Sequence, residues 1–191
     1  IVEDDPYGEL WYTAAPPPSL LSRMPERVIQ MGSFSKILAP GLRLGYIVAP
    51  VEIARKFEQV KQATDLHTAT LTQRAVYEVV KDGFLDEHIP NIRKLYHAQA
   101  QAMLGALEQY MPNSVTWNQP AGGMFLWLQL PAGVDSEEIL EKALARNVAY
   151  VPGVPFYANE PARNTMRLAF VTVPEDKIRE GVKVLGEVFG G

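Results

Sequence analysis

Residues 27–48 read RVIQMGSFSKILAPGLRLGYIV, and their punctuation decides the fold. Arg27 to Met31 and Leu44 to Val48 read as short strands. Between them stand Gly32-Ser33-Phe34-Ser35-Lys36 and Ala39-Pro40-Gly41-Leu42-Arg43, where Gly and Pro-Gly mark turns. Moving toward the N-terminus, Ile1-Val2 followed by Glu3-Asp4-Asp5-Pro6 reads as the end of a strand tipped with carboxylates. Pro16-Pro17-Pro18 marks a loop that cannot donate backbone hydrogen bonds.

Moving toward the C-terminus, the period changes to that of helices. Ile53, Phe57 and Val60 form one apolar stripe, and Ala75, Val76, Val79 and Val80 a second. Ile92, Leu95, Tyr96, Gln99, Met103, Ala106, Leu107 and Tyr110 share a longer face, which Pro90 either starts or kinks. The last third mixes strands with helices. Ser114 to Asn118, Met124 to Leu130, Val148 to Val151 and Thr165 to Val171 read as strands. Asp135 with Glu138 predicts a capping box for one helix. Pro174 opens another, with Ile178, Val182, Leu185 and Phe189 inward. The expected fold class is α/β: the end of an α/β domain over residues 1–95, then a long bridging helix and a small α+β domain over 96–191.

The chain has 191 residues, and 18 basic against 22 acidic side chains leave a net charge of −4. A broad nucleic-acid surface would need the opposite balance, so no nucleic-acid partner is expected through this region. There is no Cys, which removes disulfides and thiolate chemistry and fits a reducing, cytoplasmic compartment. No apolar run approaches the roughly 18 residues of a membrane span, and the start has no basic region and apolar core of a signal peptide. It opens instead on Ile1 inside a strand-like segment, so the chain is expected to be part of something longer.

Several side chains suit chemistry. Lys36, in a turn after a strand, becomes a nucleophile able to form a Schiff base if partial desolvation favours its neutral amine. Ser33, Ser35 and Arg43 offer hydroxyls and a guanidinium fork of the kind a phosphate needs. Arg43, read as lying within an apolar strand, is expected to have an anionic partner. Asp4 and Asp5 stand at the carboxyl end of a strand, where α/β sheets face their ligands, with Tyr7 close behind. Arg167 is a second arginine in an apolar run and suits a carboxylate. Each also has a plainer reading: a solvated lysine, a polar turn, an edge-strand arginine. Gly122-Gly123 suits a tight turn, and His67, His88 and His97 have no metal-ligand spacing, so no metal is expected.

Taken jointly, Asp4-Asp5-Pro6-Tyr7, Gly32-Ser33-Phe34-Ser35-Lys36 and Pro40-Gly41-Leu42-Arg43-Leu44-Gly45-Tyr46 resemble the pyridoxal-phosphate-dependent aminotransferases of fold type I, class I/II. The branch they resemble most holds 2-aminoadipate and kynurenine aminotransferases and the aminotransferase-like halves of MocR-type regulators. The resemblance covers the whole chain as a C-terminal half: the end of the large cofactor domain, then the small domain. It implies pyridoxal 5'-phosphate as cofactor and ping-pong transfer of an amino group between an α-amino acid and a 2-oxo acid. Lys36 resembles the lysine that carries the cofactor and shuttles the substrate Cα proton. Asp4 resembles the aspartate at the pyridine nitrogen, with Asp5 one residue out of register, and Tyr7 the tyrosine at the phenolic oxygen. Ser33, Ser35 and Arg43 resemble the phosphate cup, and Arg167 the arginine that binds the substrate carboxylate. The family's cofactor-stacking aromatic, a glycine turn and an asparagine lie upstream of Ile1, so the 191 residues alone are expected not to be competent. The family also implies a homodimer, with residues 64–73 resembling a segment that reaches the partner's cofactor. Two alternatives share this sequence: the effector-sensing half of a MocR-type transcriptional regulator, and a pyridoxal-phosphate-dependent lyase.

Overall fold

Strand β1 (Val2–Asp4) runs parallel to β2 (Ile29–Ser33), and β2 runs antiparallel to β3 (Gly45–Val48), so β2 is the middle of a three-stranded sheet. A computed structural model describes residues 1–190, which divide into two compact units, one of Ile1–Arg93 and one from Lys94 onward.

In the first unit a short helix, α1 (Leu20–Arg23), forms between β1 and β2. It buries no side chain, so its caps carry it. The Glu3 carboxylate accepts from the Leu20 and Leu21 N–H groups at 2.8 and 3.0 Å, and Ser19 Oγ accepts from Ser22 N–H at 3.1 Å. These satisfy donors that a helix start leaves orphaned. Helices α2 (Val51–Thr64) and α3 (Thr70–Val80) follow β3, and α4 (Phe84–Tyr110) begins here. The apolar stripe Ile53, Phe57 and Val60 on α2 does not line a core: all three are exposed. The buried apolar side chains described in this unit are Leu10, Val28, Val76 and Ile89. Arg93 ties α4 to the loop after β1, donating to the Glu9 carbonyl at 2.7 Å and to its carboxylate at 2.9 Å, with its guanidinium over the Trp11 ring. Pro90 lies inside α4 rather than at its start and cannot donate to the carbonyl four residues before it.

The second unit holds an antiparallel sheet in the order β4-β5-β7-β6, with β4 at Thr116–Trp117, β5 at Phe125–Gln129, β6 at Val151–Pro152 and β7 at Thr165–Ala169. The period of two sorts β5 and β7 into faces. Leu126, Leu128, Met166 and Leu168 are buried on one face, and Phe170 just beyond β7 is buried as well. Ile178, Val182 and Leu185 of α6 (Glu175–Gly190) complete the core together with Leu104 and Leu107 of α4. β6 is shorter than the sequence predicts. Helix α5 (Ser136–Leu144) ends through Asn147 in the left-handed region (φ 61°), and Val148 N–H returns to the Ala143 carbonyl at 3.0 Å. Val148 therefore belongs to a helix end instead of starting a strand.

The capping residue of α5 is Asp135, as its spacing predicts, and it accepts from Glu137 N–H at 2.9 Å. Its other oxygen takes a hydrogen bond from Arg163, which also pairs with Glu137. Tyr150 donates to the Ser136 carbonyl at 2.6 Å, and burial, helped by the Asp135 charge, pushes its hydroxyl up to about 12.

Two glycines mark opposite packing situations. A Cβ at Gly186 would lie 2.2 Å from the Tyr110 carbonyl oxygen, whereas one at Gly105 meets nothing. Gly186→Ala is expected to destabilise by about 1–3 kcal/mol and Gly105→Ala to stabilise by about 0.5–1 kcal/mol, read as denaturant midpoints. The hydrogen bond from Arg163, with that from Glu137 N–H, holds the Asp135 carboxyl below its usual range. A carboxyl depressed on folding stabilises above its unfolded value and stops doing so as pH falls through the folded one. Asp135→Asn is therefore expected to lower the thermal midpoint at neutral pH and to flatten its fall in acid.

Candidate active site

The carboxyl end of β2 gathers three segments of the first unit. Asp4 closes β1 in register with Met31, and the chain turns at once toward Tyr7. β2 runs on to Ser33 and passes into the turn that holds Ser35 and Lys36. Because β3 is antiparallel, its first residue, Gly45, lies opposite Ser33, and the 3-10 turn Pro40–Leu42 with Arg43 arrives at the same end. Asp4, Tyr7, Ser33, Ser35, Lys36 and Arg43 thus share one edge of the sheet, where α/β folds bind ligands.

The two adjacent carboxylates differ. Asp5 folds onto its own loop, so that a Cβ at Gly8 would come within 2.1 Å of Asp5 Oδ2. Glu3 is committed to α1, and Asp4 projects to the other face of the strand and is exposed. Lys36 is half-buried with its Nζ 5.8 Å from the centroid of the Tyr7 ring. Its amine makes no hydrogen bond or ion pair among the described residues.

Hydrogen bonds within the loop hold this turn. Ser33 Oγ accepts from Ser35 N–H at 3.1 Å, Phe34 N–H donates to the Leu44 carbonyl at 3.1 Å, and the Phe34 carbonyl accepts from Leu38 and Ala39 at 2.9 and 3.1 Å. Tyr46, directly across from Gly32, lays its ring where a Gly32 side chain would be: a Cβ there would lie 2.2 Å from the ring. The same ring meets Phe34 edge-on at 5.8 Å. Gly32 is small because the ring of its neighbour occupies that space.

Arg43 corrects the sequence reading. It is not inside an apolar strand but caps the 3-10 turn in the left-handed conformation (φ 50°, ψ 39°), exposed, with Nη1 donating to the Pro40 carbonyl at 3.3 Å. It has no anionic partner among the described residues. Solvent access removes the burial cost on which that expectation rested.

Arg167 belongs to the second unit, on central strand β7 between β5 and β6. It is half-buried, its guanidinium carbon lies 4.0 Å from the Phe125 centroid and 4.8 Å from that of Phe156, and it makes no hydrogen bond or ion pair among the described residues. Sequence reasoning missed these aromatic neighbours. The available signal was the alternation in β5, where Phe125 and Trp127 fall opposite the buried Leu126 and Leu128. Gly123, with φ 84°, supplies the turn before β5. No group of His, Cys, Asp or Glu among the described residues is arranged to hold a metal ion.

Comparison with known proteins bears on this arrangement. The family model described as aminotransferase class I and II matches residues 1–185. The chain is 52% identical over 188 residues to aromatic-amino-acid aminotransferase 1 of Thermococcus litoralis, covering 98% of this chain and 45% of that protein. It is 45% identical over 195 residues to the 2-aminoadipate transaminase of Thermus thermophilus, covering 100% of this chain and 49% of that protein. The crystal structure of LysN, an α-aminoadipate aminotransferase of Thermus thermophilus complexed with N-(5'-phosphopyridoxyl)-L-leucine, superposes with a TM-score of 0.94 at 45% identity, over 100% of this chain and 50% of that one. The chain spans about half the length of the curated relatives it matches.

The left-handed backbone at Arg43 costs a non-glycine residue about 1–2 kcal/mol. Arg43→Gly is expected to stabilise by roughly 0.5–1 kcal/mol, part of the relief being offset by the greater freedom of glycine when unfolded. Arg43→Ala keeps the strain and is expected to gain nothing in the same denaturation measurement.

Proposed function

The chain belongs to the class I and II aminotransferases, and on that premise we propose that the whole protein transfers an amino group between an α-amino acid and a 2-oxo acid, using pyridoxal phosphate held at the β2 edge. The observation that carries this reading is the convergence there of an uncommitted lysine amine with a carboxylate, hydroxyls and a guanidinium.

The residues present fit the cofactor by their chemistry. Ser33, Ser35 and Arg43 supply hydroxyl and guanidinium donors for its phosphate. Asp4 would be the carboxylate that keeps its ring nitrogen protonated, and the Tyr7 hydroxyl would donate to its ring oxygen. Lys36 would hold it until the amine of the substrate takes its place on the cofactor, and the Nζ amine so released would take the proton from the substrate Cα and return it later in the cycle. When bound, the cofactor supplies an electron sink for the charge left at Cα. Arg167 binds the substrate carboxylate through its free N–H donors. We extend the proposal to a homodimer, because the exposed stripe of Ile53, Phe57 and Val60 on α2 is an apolar surface of the kind that protein contacts cover.

The test is made on the whole protein. Borohydride treatment in the presence of pyridoxal phosphate is expected to fix the cofactor on the peptide containing Lys36. A panel of amino acids with 2-oxoglutarate is expected to reveal a donor, and Lys36→Ala is expected to lower that transfer by at least about 10²–10⁴-fold. An unlabelled Lys36 with no donor in the panel would overturn the reading; pyruvate and ammonia as products would point to a lyase instead.

A further inference from the structure

Arg167 stands out among the arginines of the second unit. Arg146, Arg163 and Arg179 are all paired with carboxylates. Arg167 is half-buried, pairs with none among the described residues, and instead lies over two aromatic faces. The sheet builds this arrangement. Trp127 is the direct cross-strand partner of Arg167, so Phe125, two residues earlier on β5, is its diagonal neighbour. Phe156 comes from the 3-10 turn Val154–Phe156 that follows β6, whose Val151 is the partner of Arg167 on the other side. Trp127 in turn meets Phe156 edge-on at 5.4 Å and Tyr157 at 6.4 Å.

A ring attracts a guanidinium through its face and takes none of its N–H donors. A carboxylate partner would attract it equally well but would occupy those donors. The aromatic neighbours therefore solve a specific problem: they limit the freedom of a long, flexible side chain while leaving its hydrogen-bonding fork open. We propose that Phe125 and Phe156 are positioning residues that hold the Arg167 guanidinium ready for the α-carboxylate of the substrate, with Trp127 supporting Phe156. This rests on the reading of Arg167 as the carboxylate-binding residue.

The test compares two ligands of the whole, cofactor-loaded protein by calorimetric titration: 2-oxoglutarate, and 4-oxopentanoate, which carries a methyl group where the α-carboxylate stands. The native protein is expected to prefer 2-oxoglutarate, and Arg167→Leu to abolish the preference. Phe156→Leu and Phe125→Leu are each expected to cut the preference about five- to tenfold with 4-oxopentanoate binding unchanged. Phe156→Tyr, which restores a ring face, is expected to keep it. In kinetics the leucine variants are expected to raise the KM for the amino donor more than they lower kcat. Phe156 is 47% exposed, so its truncation is expected to be tolerated by the fold, with the thermal midpoint unchanged. Leucine variants that keep the full preference, or that lose both ligands alike, overturn the proposal. A native protein without the preference, indifferent to Arg167→Leu, overturns the role of Arg167 itself and this proposal with it, while the Lys36 labelling result stands apart from both.

Discussion

The pairing of β2 on both sides is the constraint on which the first unit depends. A parallel neighbour brings the end of β1 to the end of β2, and an antiparallel neighbour brings the start of β3 to the same place. The side chains separated by up to 39 positions, from Asp4 to Arg43, meet only because one partner runs with β2 and the other against it. The turn between β2 and β3 is then held by its own backbone, and Gly32 admits the Tyr46 ring across the ladder. A site on such a turn is positioned by hydrogen bonds rather than by a deep core, which agrees with how few apolar side chains of this unit are buried.

The second unit is built differently. One face of its antiparallel sheet is apolar and sealed by α4 and α6 residues, as the alternation along β5 and β7 requires. The opposite face carries aromatic side chains and one arginine. An unpaired cation is tolerable there because the strand face is half-open to water and ring faces supply attraction without occupying donors. The Lys36 amine at the end of one sheet and the Arg167 guanidinium on the aromatic face of the other thus both lie against rings and have no ion pair among the described residues.

Much of this was legible in residue order. The positions of β1, β2, β3 and β5 follow from apolar runs bounded by turn residues, and α5 from its Asp135 cap. Misreadings arose where local pattern competes with something non-local. The α2 stripe is helical, as its period predicts, but period does not say whether anything covers it, and here it is exposed. Val148 reads as a strand start but is taken up by a helix end. Arg43 sits between two leucines, which suggests a strand, but the Pro40-Gly41 turn continues one residue further and places it in the left-handed region.

The sequence by itself determined the kinds of element, the turn chemistry around Lys36 and the family, because these reside in short-range period, in Gly and Pro, and in motifs read in order. Only the tertiary structure decided which way β3 runs, that Asp5 folds back over Gly8 while Asp4 stays clear, and that Phe125 and Phe156 come to lie under Arg167. Strand direction and register are set by pairing between distant segments, and a one-residue change of register would move a strand residue such as Phe125 or Arg167 to the other face.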